Sequence, residues 1–88
     1  MSYSVKYKKS ALKKLNKLDA PVRNRIKDWI EENLEGCENP RWKGKPLTDD
    51  MNELWRYRVG DYRIIAQIQD AEVVILVVKI DKRGDVYN

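Results

Sequence analysis

The side chains of this chain that could perform chemistry are mostly cationic or phenolic. Its 88 residues contain no histidine and one cysteine, Cys37. Without histidine there is no Ser-His-Asp triad, no Cys-His pair, no histidine-ligated metal and no two-histidine site for RNA cleavage. A single cysteine excludes an internal disulfide and a multi-cysteine zinc site. A catalytic site must therefore be built from Lys, Arg, Tyr, Asp or Glu.

Motifs that bind nucleotide phosphates are also missing. Neither G-x-x-x-x-G-K-[ST] nor G-x-G-x-x-G occurs in the sequence, so no backbone cradle for a nucleotide cofactor is visible. We therefore expect a site that uses no cofactor and no metal ion.

Three arginines fall within a predicted β-hairpin. Apolar and polar residues alternate from Glu53 to Val59 and again from Tyr62 to Gln69, which is the pattern of half-buried strands. Gly60-Asp61 between them predicts a two-residue turn, because glycine adopts positive φ at little cost. The core-facing residues of this hairpin are then Trp55, Tyr57, Val59, Tyr62, Ile64, Ala66 and Ile68.

The opposite face of the hairpin collects the arginines. A two-residue turn places Arg58 directly opposite Arg63, with Arg56 on the same face, and like charges in direct opposition destabilise a sheet. Two interpretations stay open at this point. The face is either solvated and partly screened by carboxylates such as Asp61, or it binds phosphate, whose oxygens match the donors of a guanidinium group.

The C-terminal residues add candidates to this arginine face. Lys79, Asp81 and Arg83 share a parity along the last predicted strand, and Lys82-Arg83 leads to Tyr87. Tyr87 is either part of a frayed tail or a ring and hydroxyl held beside the arginines. In the second case it could stack on a base or contact a ribose hydroxyl, which makes RNA a candidate ligand.

One sheet and a pair of helices must position these residues. Residues 3–7 alternate as a strand does, and residues 8–18 and 19–36 carry apolar residues at helical spacing. Residues 37–52 contain prolines and no clear period, so they predict a loop. The segment Val73–Ile80 is apolar nearly throughout, as in a central strand covered on both faces. These elements predict an α+β fold: an N-terminal strand, a helical hairpin and a three-stranded antiparallel meander in one sheet.

Length and charge limit the class of protein. A chain of 88 residues with 42% hydrophobic and 36% charged residues predicts a single domain, 1–88, with one core. Its net charge of +4 is unevenly distributed: residues 1–27 hold nine basic residues and one acidic residue, whereas residues 28–40 hold five acidic residues and no basic one. Separate basic patches suit a polyanion such as nucleic acid, although a plain solvated surface is also compatible with them.

Membrane association is not expected from the sequence. The longest apolar run, Val73 to Val78, has six residues, whereas a membrane span requires roughly 20. The first residues, Met-Ser-Tyr-Ser, lack the apolar region that is typical of a signal peptide. We therefore expect the protein to act in the cytoplasm.

Two segments resemble a known family. Leu54–Ile65, with the sequence LWRYRVGDYRII, resembles the hairpin of the RelE/ParE toxin superfamily, and Lys82–Tyr87, KRGDVY, is similar to that superfamily's terminal Arg-x-x-x-Tyr. The order of the predicted elements is similar as well, so the resemblance covers essentially the whole chain. It implies a RelE-like fold, which is like that of small microbial ribonucleases.

This resemblance implies the toxin of a bacterial or archaeal toxin–antitoxin pair. RelE members are endoribonucleases that cut mRNA in the ribosomal A site, with Lys, Arg and a C-terminal Tyr instead of a Glu/His pair. Carried over by position, the implied catalytic residues are Arg56, Arg63, Arg83 and Tyr87, with Arg58 beside them as an RNA contact. The implied partners are a cognate antitoxin, the ribosome with bound mRNA, and operator DNA through the antitoxin only.

The sequence departs from the RelE pattern in two places. One RelE pattern has lysines at alternate positions of the first hairpin strand, where this chain has Leu54 and Arg56, and many relatives have His where this chain has Lys82. These departures leave the group that transfers protons undecided, and Lys82 is itself a candidate acid or base. Further RNA contacts are expected from Lys43, Lys45 and Lys79.

The residues permit metal-independent RNA cleavage by attack of the ribose 2′-OH on its own 3′-phosphate. Arginine suits the stabilisation of charge on phosphate oxygens, but its pKa above about 12 makes it a poor acid or base. A lysine such as Lys82 is more tunable, because neighbouring positive charge and burial lower its pKa. A site so poor in proton-transfer groups is expected to be slow on free RNA and to depend on a scaffold that orients the substrate.

Other interpretations stay open. A ParE-type toxin shares the fold but inhibits DNA gyrase by binding, and a degenerate module could act only as an antitoxin partner. Among the aromatic residues, Trp29 is expected in the core. Trp42 lies in the predicted loop 37–52, which we call the basic loop because it carries Arg41, Lys43 and Lys45. Trp42 could serve packing or contact RNA equally well.

Overall fold

The chain follows the predicted order of elements. Residues 2–47 and 54–82 are described by a computed structural model of the protein. They form β1 (Ser4–Tyr7), α1 (Lys9–Lys17), α2 (Ala20–Asn33), a 3₁₀ helix (Pro40–Trp42), β2 (Lys45–Pro46), β3 (Leu54–Val59), β4 (Tyr62–Gln69) and β5 (Val74–Lys82). The predicted strand, helical hairpin and three-stranded meander are all present, which confirms the α+β class.

The strands form one mixed sheet in the order β1-β5-β4-β3-β2. β3, β4 and β5 are the antiparallel meander, and β1 pairs with β5 in parallel, so the N-terminal strand lies beside the last one. β2 falls in the segment predicted as a loop and pairs Lys45 with Arg56 and Pro46 with Trp55. A two-residue strand carries no detectable alternation, and proline is tolerated at a sheet edge because no further strand needs its N–H.

Both helices pack on one face of the sheet, and the core lies between the two layers. The helices contribute Ala11, Leu15, Ile26 and Ile30. The sheet contributes alternate residues of the meander, in agreement with the predicted hairpin parity: Tyr57, Val59, Ile64, Ala66, Ile75, Val77 and Ile80. Trp29 is half-buried as expected, with its ring centroid 5.6 Å from that of Tyr57. In the part of the chain that is described, no helix is both long and apolar enough to cross a membrane.

A β-bulge between β4 and β5 decides which face the cations of β5 occupy. Ile65 pairs with Lys79, whereas the next residue, Ala66, pairs with Val77. The extra residue on β5 reverses the alternation, so Val77 and Ile80 are both buried in the core while Lys79 is exposed. The sequence predicts that Val73–Ile80 is covered on both faces. The helices cover one face of this segment, whereas the other face leaves Lys79 exposed.

The turn between β4 and β5 is longer than the sequence predicts. The predicted strands end at Gln69 and begin again at Val73, whereas β5 begins at Val74, so the connection has four residues, 70–73, and ends at Val73 with φ of 55°. The Val73 N–H donates to the Asp70 carbonyl at 3.2 Å, and the Val73 carbonyl accepts from the Ser4 N–H at 3.0 Å. A β-branched residue at positive φ is unusual, and no local pattern announces it.

Candidate nucleic-acid interface

The face of the sheet opposite the helices carries cations from four strands. Arg58 of β3 lies directly opposite Arg63 of β4, as the hairpin parity predicts. Two residues away from this pair along β3 and β4, four residues of neighbouring strands lie side by side across the sheet, in the order Lys45, Arg56, Ile65 and Lys79. We call the surface formed by Lys45, Arg56, Arg58, Arg63 and Lys79 the cationic face.

An apolar side chain lies among these cations. Ile65 points to the cationic face by alternation, yet it is only 5% exposed. In register it lies between Arg56 and Lys79, whose aliphatic stems can cover it while their charged ends stay in solvent. Packing on Ile65 would hold the stems of Arg56 and Lys79 against the sheet and so fix the positions of their charged ends.

The arginines of the cationic face lack carboxylate partners among residues 2–47 and 54–82. Two ion pairs form within these residues, Arg41–Asp70 and Lys79–Asp81, the latter with 3.3 Å between Nζ and Oδ2. Asp81 lies opposite Arg63 in register but pairs with Lys79 instead. The positive potential of Arg56, Arg58 and Arg63 is thus available to an anion.

Arg63 has a buried donor that is not satisfied. Its Nε is buried and makes no hydrogen bond within the described part of the chain. A buried donor without an acceptor costs about 1–3 kcal/mol, and more when the group is charged. The charge of the Arg63 guanidinium is thus left uncompensated by the described residues, which makes Arg63 a candidate for anion binding.

The basic loop closes one edge of the cationic face. A cavity of about 300 Å³ is lined by Gly44, Lys45, Arg56 and Arg58. Gly44 has φ of 76°, and a Cβ at this position would collide with the Arg56 carbonyl oxygen and come within 2.7 Å of the Tyr57 ring. Because only glycine permits this approach, the loop backbone lies directly on β3 and brings Lys45 beside Arg56.

The remaining predicted residues are not gathered on this face. Lys82, the last residue of β5, pairs with Tyr62 in register and by alternation lies on the side that the helices cover. Lys43 is exposed in the loop next to Gly44, and its carbonyl accepts a hydrogen bond of 2.6 Å from the Trp55 indole. Arg83 and Tyr87 lie outside the described residues.

Sequence reasoning missed the contacts that hold the basic loop in place. Asp70 in the β4–β5 turn accepts hydrogen bonds from both terminal nitrogens of Arg41, at 3.1 and 3.0 Å, and from the Tyr3 hydroxyl at 2.6 Å. The buried Tyr57 hydroxyl donates to the Pro40 carbonyl at 2.7 Å. These residues are 17 to 67 positions apart, so no sequence spacing could have revealed them.

Two pKa values reflect this packing. The hydrogen bonds from Arg41 and then Tyr3 lower the pKa of Asp70 below its usual value, since both donors favour the carboxylate. Burial raises the pKa of Tyr57, which therefore stays protonated and can donate to Pro40 throughout the physiological range.

Comparisons with known proteins agree with the fold and identify the family. The profile of the family described as "ParE toxin of type II toxin-antitoxin system, parDE" matches residues 5–87. The mRNA interferase toxin RelE of Escherichia coli K12 is 32% identical over 92 residues, which cover 100% of this chain and 93% of the relative. Toxin RelG of Mycobacterium tuberculosis is 26% identical over 87 residues, with 99% and 98% covered.

A solved structure shows the same fold. The RelBE2 toxin–antitoxin complex of Mycobacterium tuberculosis contains a chain that superposes with a TM-score of 0.81 at 25% identity, covering 97% of this chain and 95% of that one. The α+β architecture and its parallel N-terminal strand are therefore those of a RelE toxin. The family match over nearly the whole chain, joined to full-length similarity to RelE proteins, shows that this chain belongs to the ParE toxin family of type II toxin–antitoxin systems, within the RelE branch of the RelE/ParE superfamily.

Proposed function

We propose that this toxin cleaves mRNA in the A site of the ribosome and so stops translation. The main support is the cationic face, where Arg56, Arg58 and Arg63 lie together with no carboxylate partner among the described residues. Guanidinium groups clustered in this way suit the phosphates of a nucleic-acid backbone. The Escherichia coli relative, which is named an mRNA interferase, supports the same activity.

The proposed reaction is attack of a ribose 2′-oxygen on the adjacent phosphorus. The bond from phosphorus to the 5′-oxygen of the next nucleotide breaks, which leaves a 2′,3′-cyclic phosphate and a 5′-hydroxyl. The proton lost by the 2′-hydroxyl balances the proton gained by the leaving oxygen. Arg56 and Arg63 would hold the non-bridging oxygens and neutralise the charge that develops on them.

The proton transfers fall to the end of the chain in this proposal. Lys82 is the last residue of β5 and would act at the end of the sheet rather than on the cationic face, because its register places it with Tyr62. Tyr87 would orient the 2′-hydroxyl or stack on a base. Arg83 would add a phosphate contact, since its pKa is too high for acid–base work.

The site has few groups that can transfer protons, and we therefore expect its activity to depend on the ribosome. A scaffold that fixes the mRNA backbone in line for attack removes an entropic part of the barrier, and each 1.4 kcal/mol removed gives about a tenfold increase in rate. The toxin supplies cations and the ribosome supplies orientation. We therefore expect slow cleavage of free RNA and fast cleavage of ribosome-bound mRNA.

A cognate antitoxin is the proposed protein partner. The similar Mycobacterium tuberculosis chain was solved in a toxin–antitoxin complex. An antitoxin of this chain should present acidic groups where it covers the cationic face and an amphipathic helix elsewhere. Contact with operator DNA would come through the antitoxin only, and the proposed place of action is the cytoplasm, where ribosomes translate.

Arg56→Ala and Arg63→Ala test the proposal in a translation reaction reconstituted with purified ribosomes. Each should lower the rate of mRNA cleavage by roughly two orders of magnitude, because each removes a donor to the developing charge. Arg56→Ala should change the thermal midpoint little, because its guanidinium has no ion-pair partner among residues 2–47 and 54–82. Arg63→Ala should raise it, because the substitution removes a buried donor that has no acceptor there.

The matched control removes a cation from the other side of the molecule. Lys27→Ala, on the exposed side of α2, should cleave ribosome-bound mRNA like the wild type. Wild-type rates in both arginine variants would contradict the assignment of the site.

Inhibition of DNA gyrase is the second candidate function. It is favoured by one observation, the ParE description of the family profile that matches residues 5–87. A supercoiling assay with purified gyrase separates the two. Inhibition of supercoiling without cleavage of ribosome-bound mRNA would favour gyrase, and the reverse result would favour the interferase.

A further inference from the structure

Trp42 stands out of the basic loop into solvent. It is 73% exposed, whereas the other exposed large apolar side chain in the described part of the chain, Leu12, is 43% exposed. Trp42 ends the 3₁₀ helix Pro40–Trp42 and is followed at once by Lys43. An indole at such exposure contributes little to the core, and its ring is open to a ligand; tryptophan is enriched at interfaces because it combines an apolar ring with a polar N–H.

The loop around Trp42 is firmly held, so the exposure does not come from a loose segment. On its N-terminal side the Pro40 carbonyl accepts from the buried Tyr57 hydroxyl at 2.7 Å, and Arg41 pairs with Asp70 at 3.0 Å. On its C-terminal side the Lys43 carbonyl accepts from the Trp55 indole at 2.6 Å. The backbone is therefore fixed on both sides of Trp42.

The surroundings of Trp42 favour an anionic ligand over a neutral or cationic one. Residues 39–47 contain Arg41, Lys43 and Lys45 and no acidic residue. Lys45 belongs to the cationic face, where it pairs with Arg56 across β2 and β3. Only two residues separate the indole from this phosphate-binding surface, which is a short enough spacing for one strand of nucleic acid to contact both.

We propose that Trp42 is a stacking platform for an unpaired base of RNA whose backbone follows the cationic face. The proposal rests on the proposed function and adds a contact that the cleavage chemistry does not need. Aromatic side chains beside cationic grooves bind single-stranded nucleic acid in this way, because every base offers a π-face. A platform fixed in advance loses little conformational entropy when the base arrives.

The unpaired base could belong to the message or to ribosomal RNA, and two binding measurements distinguish these sources. The first titrates a fluorescent single-stranded oligoribonucleotide with 2′-O-methyl groups, which cannot be cleaved because the 2′-oxygen is blocked. The second titrates ribosomes that carry no message. Wild type is compared with Trp42→Leu, which keeps apolar bulk without a π-face, and with Trp42→Phe, which keeps a smaller aromatic face.

The expected result is a roughly tenfold or greater loss of affinity for Trp42→Leu, partial recovery in Trp42→Phe and no loss in Leu12→Ala, the matched exposed control on α1. Loss with the oligonucleotide assigns the base to a single strand such as the message, and loss with ribosomes alone assigns it to ribosomal RNA. Thermal midpoints should be unchanged, because the indole is exposed.

Unchanged affinity of Trp42→Leu in both measurements would overturn the proposal, and so would weaker binding of an antitoxin with unchanged binding of RNA. Arg63→Ala in the same titrations separates this failure from failure of the proposed function. If Arg63→Ala weakens RNA binding and Trp42→Leu does not, the cationic face keeps its role and the stacking platform is wrong. If the wild type binds neither probe, the stacking platform is wrong, and the cleavage assay with ribosome-bound mRNA decides the proposed function separately.

Discussion

Arg58 and Arg63 face each other across the β3–β4 hairpin, and this pairing costs stability that a bound anion would restore. Directly opposed like charges destabilise an antiparallel pair, and no carboxylate of the described residues pairs with either arginine. The Arg63 Nε adds a buried donor without an acceptor in the same part of the chain. Such unfavourable local arrangements are typical of functional sites.

Gly44 is the residue on which the edge of the site depends, and Gly44→Ala should destabilise the protein by about 2 kcal/mol or more. Alanine is strained at the left-handed φ of 76°, and its methyl group would collide with the Arg56 carbonyl and the Tyr57 ring. Urea unfolding measures the change in free energy.

Gly36→Ala provides the matched comparison for that experiment. Gly36 has φ of 78°, but a Cβ there meets nothing within 4 Å, so its substitution should cost only the conformational term, about 1–2 kcal/mol. Equal losses of unfolding free energy in the two variants would show that the loop does not press on β3.

At the scale of elements, a carboxylate in the β4–β5 turn ties together segments that are distant in sequence. Asp70 accepts from Arg41 in the basic loop and from Tyr3 just before β1. The turn therefore positions the loop that carries Trp42 and Lys45. A loop held only by its own residues would not present these side chains in a fixed direction.

Asp70→Asn should lower the free energy of unfolding by less than about 1 kcal/mol near pH 7, because the ion pair is partly exposed. The lowered folded-state pKa of Asp70 means that its contribution is present above the unfolded-state pKa, near 4, and is lost as the pH falls through the folded-state value. The stabilities of wild type and Asp70→Asn should therefore converge in acid.

Urea unfolding at a series of pH values from 7 downward checks this convergence. Glu72→Gln is the control, since Glu72 lies in the same turn and its side chain forms no ion pair within residues 2–47 and 54–82. A difference between Asp70→Asn and wild type that stays constant across this range would contradict the role given to the carboxylate.

At the scale of the whole molecule, the acidic side chains collect around the C-terminal half of α2, while basic residues lie both on the cationic face and on α1. Helix α2 exposes its acidic residues, Asp28, Glu31, Glu32 and the following Glu35, while the opposite face of the sheet is the cationic face. A molecule with this asymmetry is oriented in the field of a polyanion before it makes contact. The acidic end of α2 would face away from RNA.

The proposed antitoxin should respond to the same asymmetry. We expect its association rate to fall as salt is raised, because steering between exposed charges is screened, while its dissociation stays slow wherever apolar groups anchor the complex. Co-purification with the product of the adjacent reading frame, followed by stopped-flow binding at several salt concentrations, measures both rates.

Charge neutralisation on each layer shows which one steers the antitoxin. Arg58→Gln, on the exposed part of the cationic face, should weaken the salt dependence of association, whereas Glu32→Gln on α2 should not. An association rate independent of salt would argue against contact with the cationic face.

Local patterns in the sequence determined the hairpin and therefore the central part of the site. Alternation in 53–59 and 62–69 with Gly60-Asp61 between them predicted the register that places Arg58 opposite Arg63. This worked because strand parity and a two-residue turn leave no freedom in pairing. The resemblance carried by the same residues also predicted the superfamily, which the family match confirms.

Tertiary structure alone decided which other residues join the arginines. The two-residue strand β2 exists only because Gly44 allows the loop to lie on β3, and the bulge opposite Ile65 and Ala66 sends Lys79 to the cationic face. Neither the short strand nor the bulge produces a periodic pattern in the sequence, because each depends on the backbone conformation at one position. The hydrogen bonds that fix Trp42 in solvent join residues far apart in the chain, and only folding brings such partners within reach.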